Sequence, residues 1–382
     1  MINVAIVGVG NCCSALVQGV AVAKAKRREL KGITYSNIGG YQPCDINFVA
    51  AFDVDSRKVG KTLGEAILAP PNCCWEIVDS IAELNELPVC TVQMAPVMDG
   101  VAEHMNCEQG FLVSSTEPAL PRTDILKALE GVDVLINYLP VGSQQATEFW
   151  ANICLDAKVA FCNCIPVFIA SDPAWEAKFK ASGLPLIGDD MRSQFGASVV
   201  SQMLQELAFD RGHTVKAHIQ QNVGGNTDFL NMCDKQRLKS KKISKENVIR
   251  SQNTIRGISE KDSFLFAGPS DYIEFYKDNK IATFHLELEG FAGSPVVLDA
   301  RLSVQDSPNS AGVVIDAVRF LKVAREMGIT GSLRGASAFT QKSPPEQLTF
   351  ADAKSECDAL AERKYTKRTA QKQHLHYTSV ME

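Results

Sequence analysis

The sequence predicts an α/β fold: a doubly wound parallel sheet carrying an inserted α+β unit. Three observations predict it. β-Branched runs alternate with segments of helical period up to about residue 190. A glycine turn, Gly8-Val9-Gly10, directly follows the first of those runs. Beyond it the strands alternate apolar with polar residues, as in VKAHIQQNV (215–223), IATFHLELEG (281–290) and VVLDARLSV (296–304). That pattern marks a more exposed, partly antiparallel sheet.

Each element follows in order. Residues 2–8 (INVAIVG) read as a strand buried on both faces, and CCSALVQGVAVAKAK after Asn11 has helical spacing. Residues 24–45 are polar and glycine-rich, an insertion. A second strand, INFVAAFD (46–53), ends in Asp53. Residues 70–122 are irregular, with a possible strand near 111–114. The strand VDVLINYL (132–139) runs into Pro140-Val141-Gly142-Ser143, then the helix QQATEFWANICLDAK, then AFCNCIPV at 160–167. A helix near 174–181 and the strand LPLIG lead to Gly188-Asp189-Asp190. Helices are expected at 194–210 and 310–327. The resulting division is 1–190 plus 306–360 for a nucleotide-binding domain and 191–305 for a second domain. A basic, polar, mobile tail is expected at 361–382.

Composition narrows the function classes. A length of 382 residues suits two or three domains of roughly 150 residues. Lys and Arg number 39 against 44 Asp and Glu, a balance unsuited to holding a polyanion, so nucleic acid is not expected as a partner. No apolar run of about 18 residues is present, so no membrane association is expected. The apolar start lacks a basic leader region, and a cytoplasmic location is expected. The 12 cysteines lack the two-plus-two spacing of a zinc site and read as reduced packing thiols. The six histidines are scattered, only His374 and His376 lying close together, which disfavours a histidine-built metal site or a hydrolytic triad.

The turn Gly8-x-Gly10-Asn11 lets backbone approach a pyrophosphate, with a helix N-terminus behind it. The third position of the usual G-x-G-x-x-G is Cys13. Asp53 closes the second strand, where a carboxylate accepts from the adenosine ribose hydroxyls and repels a 2′-phosphate. NAD is therefore favoured over NADP. Downstream, glycine, amide and lysine segments recur: GDDMRSQFGAS, NVGGNTDFLNM, SKKISK, GPSDY, DNK, DSPNSAG and QKSPP. Lys241 and Lys245 are four residues apart and share a face if helical. Such a pair can clamp a phosphate or stabilise an oxyanion.

These motifs, with AAFDVDSRKVGK, INYLPVGS and PVFIASDP, resemble the myo-inositol-1-phosphate synthase family, in its short bacterial form, over about residues 2–355. The resemblance implies a Rossmann-like NAD domain, a catalytic and tetramerisation domain, and a homotetramer. It implies conversion of D-glucose 6-phosphate to myo-inositol 1-phosphate with NAD regenerated each turnover. Lys241 and Lys280 match positions that handle the carbon 5 oxygen, and Lys342 the one that stabilises the carbon 1 oxygen. Lys245, Ser193 and Gln194 match phosphate-side positions. Asp190, Asn226, Asp228 and Asp306 match positions lining substrate and nicotinamide, and Pro140 and Ser307 join the cofactor set. A divalent or monovalent cation near the cofactor is left open. Two departures stand out: Arg192 where the family pattern has Lys, and Ser201-Gln202 where it has His-Arg. A related NAD-dependent dehydrogenase or cyclase with another sugar phosphate is the alternative. A binding-only regulator is less consistent with four retained lysines.

Overall fold

The β-branched runs assemble into a seven-stranded parallel sheet in a computed structural model that describes residues 1–234, 246, 250, 253, 263–268 and 271–365. Its strands are β1 (Ile2–Val7), β2 (Ile46–Asp53), β3 (Val92–Met94), β4 (Val134–Asn137), β5 (Ala160–Asn163), β6 (Pro185–Ile187) and, after a long excursion, β11 (Gly331–Ser332). The order is β11-β6-β5-β4-β1-β2-β3. The direction reverses across β1, so the carboxyl ends of β1 and β4 flank a natural crevice. All four residues of β4 and of β5 are buried, which is why these strands lack polar alternation.

The second sheet, β10-β9-β7-β8, is formed by β7 (Thr214–Val223), β8 (Phe264–Ala267), β9 (Asn279–Glu289) and β10 (Pro295–Gln305). β9 pairs antiparallel with both β7 and β10, whereas β8 runs parallel to β7. Helix Ala197–Asp210 packs on one face, over Ala282, Phe284 and Leu286. Alternation in β9 is therefore half-burial, as the sequence implies.

Four boundaries differ from expectation. The third parallel strand is β3, not 111–114, where a single bridge joins Asp55 to Val113. The segment VQM is too short to give a period. The long buried helix starts at Asp306, four residues before the apolar pattern begins, because Pro308 lies in its first turn, where its missing N–H costs nothing. Helix Ala197–Asp210 starts later than expected. Finally, residues 361–365 are not tail: Arg363 Nε donates to the Gly39 carbonyl (2.9 Å) and its guanidinium pairs with Glu326 (2.6 Å). The remainder, 366–382, lies outside the described residues.

The 24–45 insertion is packed down. Arg319, fully buried on helix Asp306–Glu326, donates to the Tyr35 carbonyl (2.8 Å), and Asp316 accepts from Thr34 N–H (3.0 Å). This helix lies on helix Asn11–Ala25 and carries Asp306 and Ser307 to the crevice.

Candidate active site

A continuous cleft runs from the end of β2 to the edge of the second sheet. At one end Gly8 has φ +91°, and a Cβ there would lie 2.5 Å from the Tyr138 carbonyl oxygen. Only glycine fits. A Cβ on Gly10 would meet open space, so the cleft reaches the backbone there. Gly10 caps helix Asn11–Ala25 without a side-chain hydrogen bond, leaving the helix N-terminus open for an anion. Asp53 Oδ2 accepts from Val9 N–H (2.6 Å), and Oδ1 accepts from Val54 and Asp55 N–H (2.7 and 2.9 Å). The carboxylate thus holds the turn while facing the cleft. Lys58, only 2% exposed, donates to the Val9 carbonyl (2.7 Å) and to Asn72 (3.0 Å). Among the described residues no carboxylate forms an ion pair with it. A buried ammonium beside a glycine turn suits a pyrophosphate. The buried Tyr138 hydroxyl, also on the cleft wall, is without a hydrogen-bond partner. These features fit a dinucleotide.

At the other end two ion pairs face the cleft. Lys280 Nζ lies 3.0 Å from Asp306 Oδ1, and Lys342 Nζ lies 2.9 Å from Asp190 Oδ1. Lys280 is the second residue of β9, opposite Val304 of β10, and Asp306 opens the helix directly after β10, so register across the hairpin brings them together. Asp190 follows β6 with φ +62°, a left-handed conformation costly for a non-glycine residue, and the Lys342 N–H donates to its carbonyl (2.7 Å). Behind Lys280 lies Asp278, almost fully buried. It accepts from Asn226 (3.0 Å), from Ser307 Oγ (2.8 Å) and from Ser307 N–H (3.1 Å). Burial, aided by the neighbouring Asp306 charge, pushes its carboxyl up to about 7. Burial likewise raises Asp189 to about 6, yet this residue serves the fold, accepting N–H bonds from Ile169, Ala170 and Ser171.

Gly8, Gly10, Asn11, Asp53, Pro140, Asp190, Ser193, Asn226, Asp228, Lys280, Asp306, Ser307 and Lys342 therefore share one cleft. Gln194 does not join them. It donates to Thr34 Oγ1 (2.7 Å) and lines a separate, smaller cavity. Lys241 and Lys245 lie outside the described residues. Among the described residues no three His, Cys, Asp or Glu side chains group as a metal site. No described helix is long and apolar enough to cross a membrane. Sequence reasoning missed Lys58, Asp278, Gln220 and Asn222. Asp278 was within reach, since it stands two residues before Lys280 in DNK; Lys58 carries no signal apart from its tertiary burial.

The two departures prove to be paired. Arg192 donates to Gln202 Oε1 (2.5 Å), and His218 Nε2 lies 3.1 Å from Ser201 Oγ. Where the resemblance leads one to expect His-Arg at 201–202, an imidazole and a guanidinium reach those positions from β7 and from the 188–198 loop. Burial lowers Arg192 to about 10 and His218 to about 4.

Comparison with known proteins gives this geometry its context. Residues 196–307 match a family model described as myo-inositol-1-phosphate synthase. A Mycolicibacterium smegmatis protein named inositol-3-phosphate synthase is 44% identical over 367 residues, covering 94% of this chain and 98% of its own length. The chain belongs to the myo-inositol-1-phosphate synthase family. The crystal structure of Ari2 is similar, with a TM-score of 0.72 and 33% identity over 94% of this chain and 99% of that one. So is that of a myo-inositol-1-phosphate synthase-related protein from Thermotoga maritima, with a TM-score of 0.77 and 26% identity over 96% and 100%. The synthase fold thus accounts for the Rossmann-like sheet and for the second sheet beside it.

Proposed function

We propose that this chain cyclises D-glucose 6-phosphate to myo-inositol 1-phosphate in an NAD-dependent reaction with no net redox change. As a family member it is an enzyme, an isomerase acting on a sugar phosphate. The observation that carries the reading is the pair Lys280 and Lys342, each held by a carboxylate in the cleft that also contains the Gly8–Asn11 turn and Asp53.

The chemistry needs cations where oxygens gain negative charge. Acceptance of a hydride from carbon 5, and its return, is the chemistry NAD supplies when bound. A carbonyl at carbon 5 acidifies carbon 6, which then attacks carbon 1. In our reading Lys280 Nζ binds the carbon 5 oxygen, and Asp306 orients that ammonium. Lys342 Nζ donates to the carbon 1 oxygen during ring closure, oriented by Asp190. Asp278, titrating near neutrality, holds a proton behind Ser307 and Asn226. Ser193 and Lys245 serve the phosphate side, and Asn226 and Asp228 line the substrate and nicotinamide. Asp53 accepts from the adenosine ribose, and the helix N-terminus with Lys58 faces the pyrophosphate. We further assign 1–190 and 306–360 to the NAD domain, 191–305 to catalysis and assembly, and a homotetramer as the working state.

The test is incubation with glucose 6-phosphate and NAD, with the product identified by phosphorus NMR. Inositol 1-phosphate without free NADH is expected. A phosphorylated lactone or another sugar phosphate, with NADH accumulating, refutes the cyclase reading.

A further inference from the structure

A buried chain of hydrogen bonds leads from the cleft into the interior. Gln220 and Asn222, on β7, both line the cleft at its substrate end. Asn222 Nδ2 donates to the Gly268 carbonyl (3.2 Å), and Asn222 Oδ1 accepts from Gln220 Nε2 (2.9 Å). Gln220 Oε1 accepts from Ser201 Oγ (2.8 Å). Beyond Ser201 stands His218, whose Nδ1 lies 3.1 Å from Gln205 Oε1; Gln205 Nε2 in turn donates to Asn253 Oδ1 (2.7 Å). All six side chains are at most 2% exposed.

The carbonyl of Gly268 sets the direction of the whole chain, because it can only accept. Asn222 must offer nitrogen to it and oxygen to Gln220. Gln220 must then offer oxygen to Ser201. The single Ser201 proton is spent on that oxygen, so Ser201 must accept from His218. His218 therefore carries a proton on Nε2. A neutral ring with that proton accepts at Nδ1, which calls for the NH₂ of Gln205 there and the NH₂ of Asn253 on Gln205. Turning each of these two amides by 180° exchanges its nitrogen and oxygen and so reverses both bonds as placed. It also uses Asn253 Nδ2, which otherwise is buried without a partner. Burial, which disfavours the charged imidazolium, agrees with the neutral ring.

We propose that His218 and Ser201 are positioning residues that lock Gln220 and Asn222 in one amide orientation, so that the cleft receives N–H donors from them. Each amide nitrogen keeps a second N–H outside the chain. These donors complement the hydroxyl and phosphoryl oxygens of a polyol phosphate, and they offer no acceptor to an ammonium group, which can only donate. The inference rests on the sugar-phosphate reading above. It also gives the departures a role: the imidazole reaches Ser201 from β7, and Arg192 fills the neighbouring place at Gln202.

The test uses Ser201→Ala, Ser201→Thr, His218→Leu and His218→Gln in the full chain. Ser201→Ala and His218→Leu should lower kcat/KM for glucose 6-phosphate about tenfold or more, mainly through KM, with NAD affinity changed less than about twofold. Ser201→Thr keeps the hydroxyl, and His218→Gln keeps a donor near Nε2; both should stay within about threefold of the parent. If Ser201→Ala behaves like Ser201→Thr, or if NAD affinity falls in step with sugar-phosphate turnover, the positioning role is wrong. Nitrogen-15 NMR of the parent protein supplies a readout independent of turnover. His218 should be the Nε2–H tautomer at neutral pH; an Nδ1–H tautomer or an imidazolium overturns the proposal. If the parent does not convert glucose 6-phosphate, the functional reading fails while the tautomer still decides the lock.

Discussion

Lys342 offers the sharpest test of the proposed chemistry, and Lys342→Met is the change to make. The ammonium is 13% exposed and lies 2.9 Å from Asp190, whose side chain is 1% exposed. At an effective dielectric constant near 20, that separation gives about 6 kcal/mol of attraction, offset in large part by desolvation of both charges. Removing one partner from such a pair typically costs about 3 kcal/mol of stability. Catalysis should suffer separately. A preorganised donor facing a developing oxyanion is worth about 10²–10³ in turnover. Two assays separate these effects. Denaturant unfolding reads stability, and a phosphorus NMR time course reads inositol phosphate formed by folded protein. The double change Asp190→Asn with Lys342→Met removes both charges and should recover most of the stability while leaving turnover low. Turnover near the parent rate in Lys342→Met, or recovery of turnover in the double variant, refutes the oxyanion role.

Three further outcomes are expected. Asp53→Asn keeps the shape but replaces one carboxylate oxygen with a donor, so NAD binding should weaken by about 1–3 kcal/mol while NADP gains ground, as titration of both cofactors would show; an unchanged preference would remove Asp53 from cofactor selection. Glucose 6-phosphate bearing deuterium at carbon 5 should yield labelled inositol phosphate by mass spectrometry, whereas label lost to free NADH contradicts a redox-neutral cycle. His218 is held at about 4 against an ordinary 6.5, so the folded state binds fewer protons than the unfolded one between those values. Stability should be complete above pH 6.5 and fall by up to about 3 kcal/mol as the pH drops towards 4. His218→Gln should flatten that part of the unfolding profile, and an unaltered profile would show that His218 is not its source.

Much of the site was legible because its chemistry depends on residue types at fixed offsets. A glycine turn after a buried strand needs no tertiary information, and neither does an acid at the end of the next strand. The lysines of DNK and QKSPP stood out because packing does not explain them. Other features were hidden for definite reasons. β3 is three residues long, so it carries no period. Gln194 looks like a phosphate ligand in GDDMRSQ, but its side chain is claimed by Thr34 in the folded-down insertion, 160 residues away. Asp278 lies in DNK and Lys58 in AAFDVDSRKVGK, yet neither was singled out, since burial of a single polar residue leaves no trace in its neighbours.

The sequence by itself determined the α/β class, the switch from buried to half-buried strands, the nucleotide turn and the family. All four rest on local periodicity or on ordered motifs, which survive without coordinates. Only the tertiary structure decided which charges meet. Lys280 finds Asp306 through hairpin register, Lys342 finds Asp190 across 152 residues, and His218 finds Ser201 where helix Ala197–Asp210 lies on β7. Pairing of that kind depends on how two elements pack, and sequence separation carries no record of it.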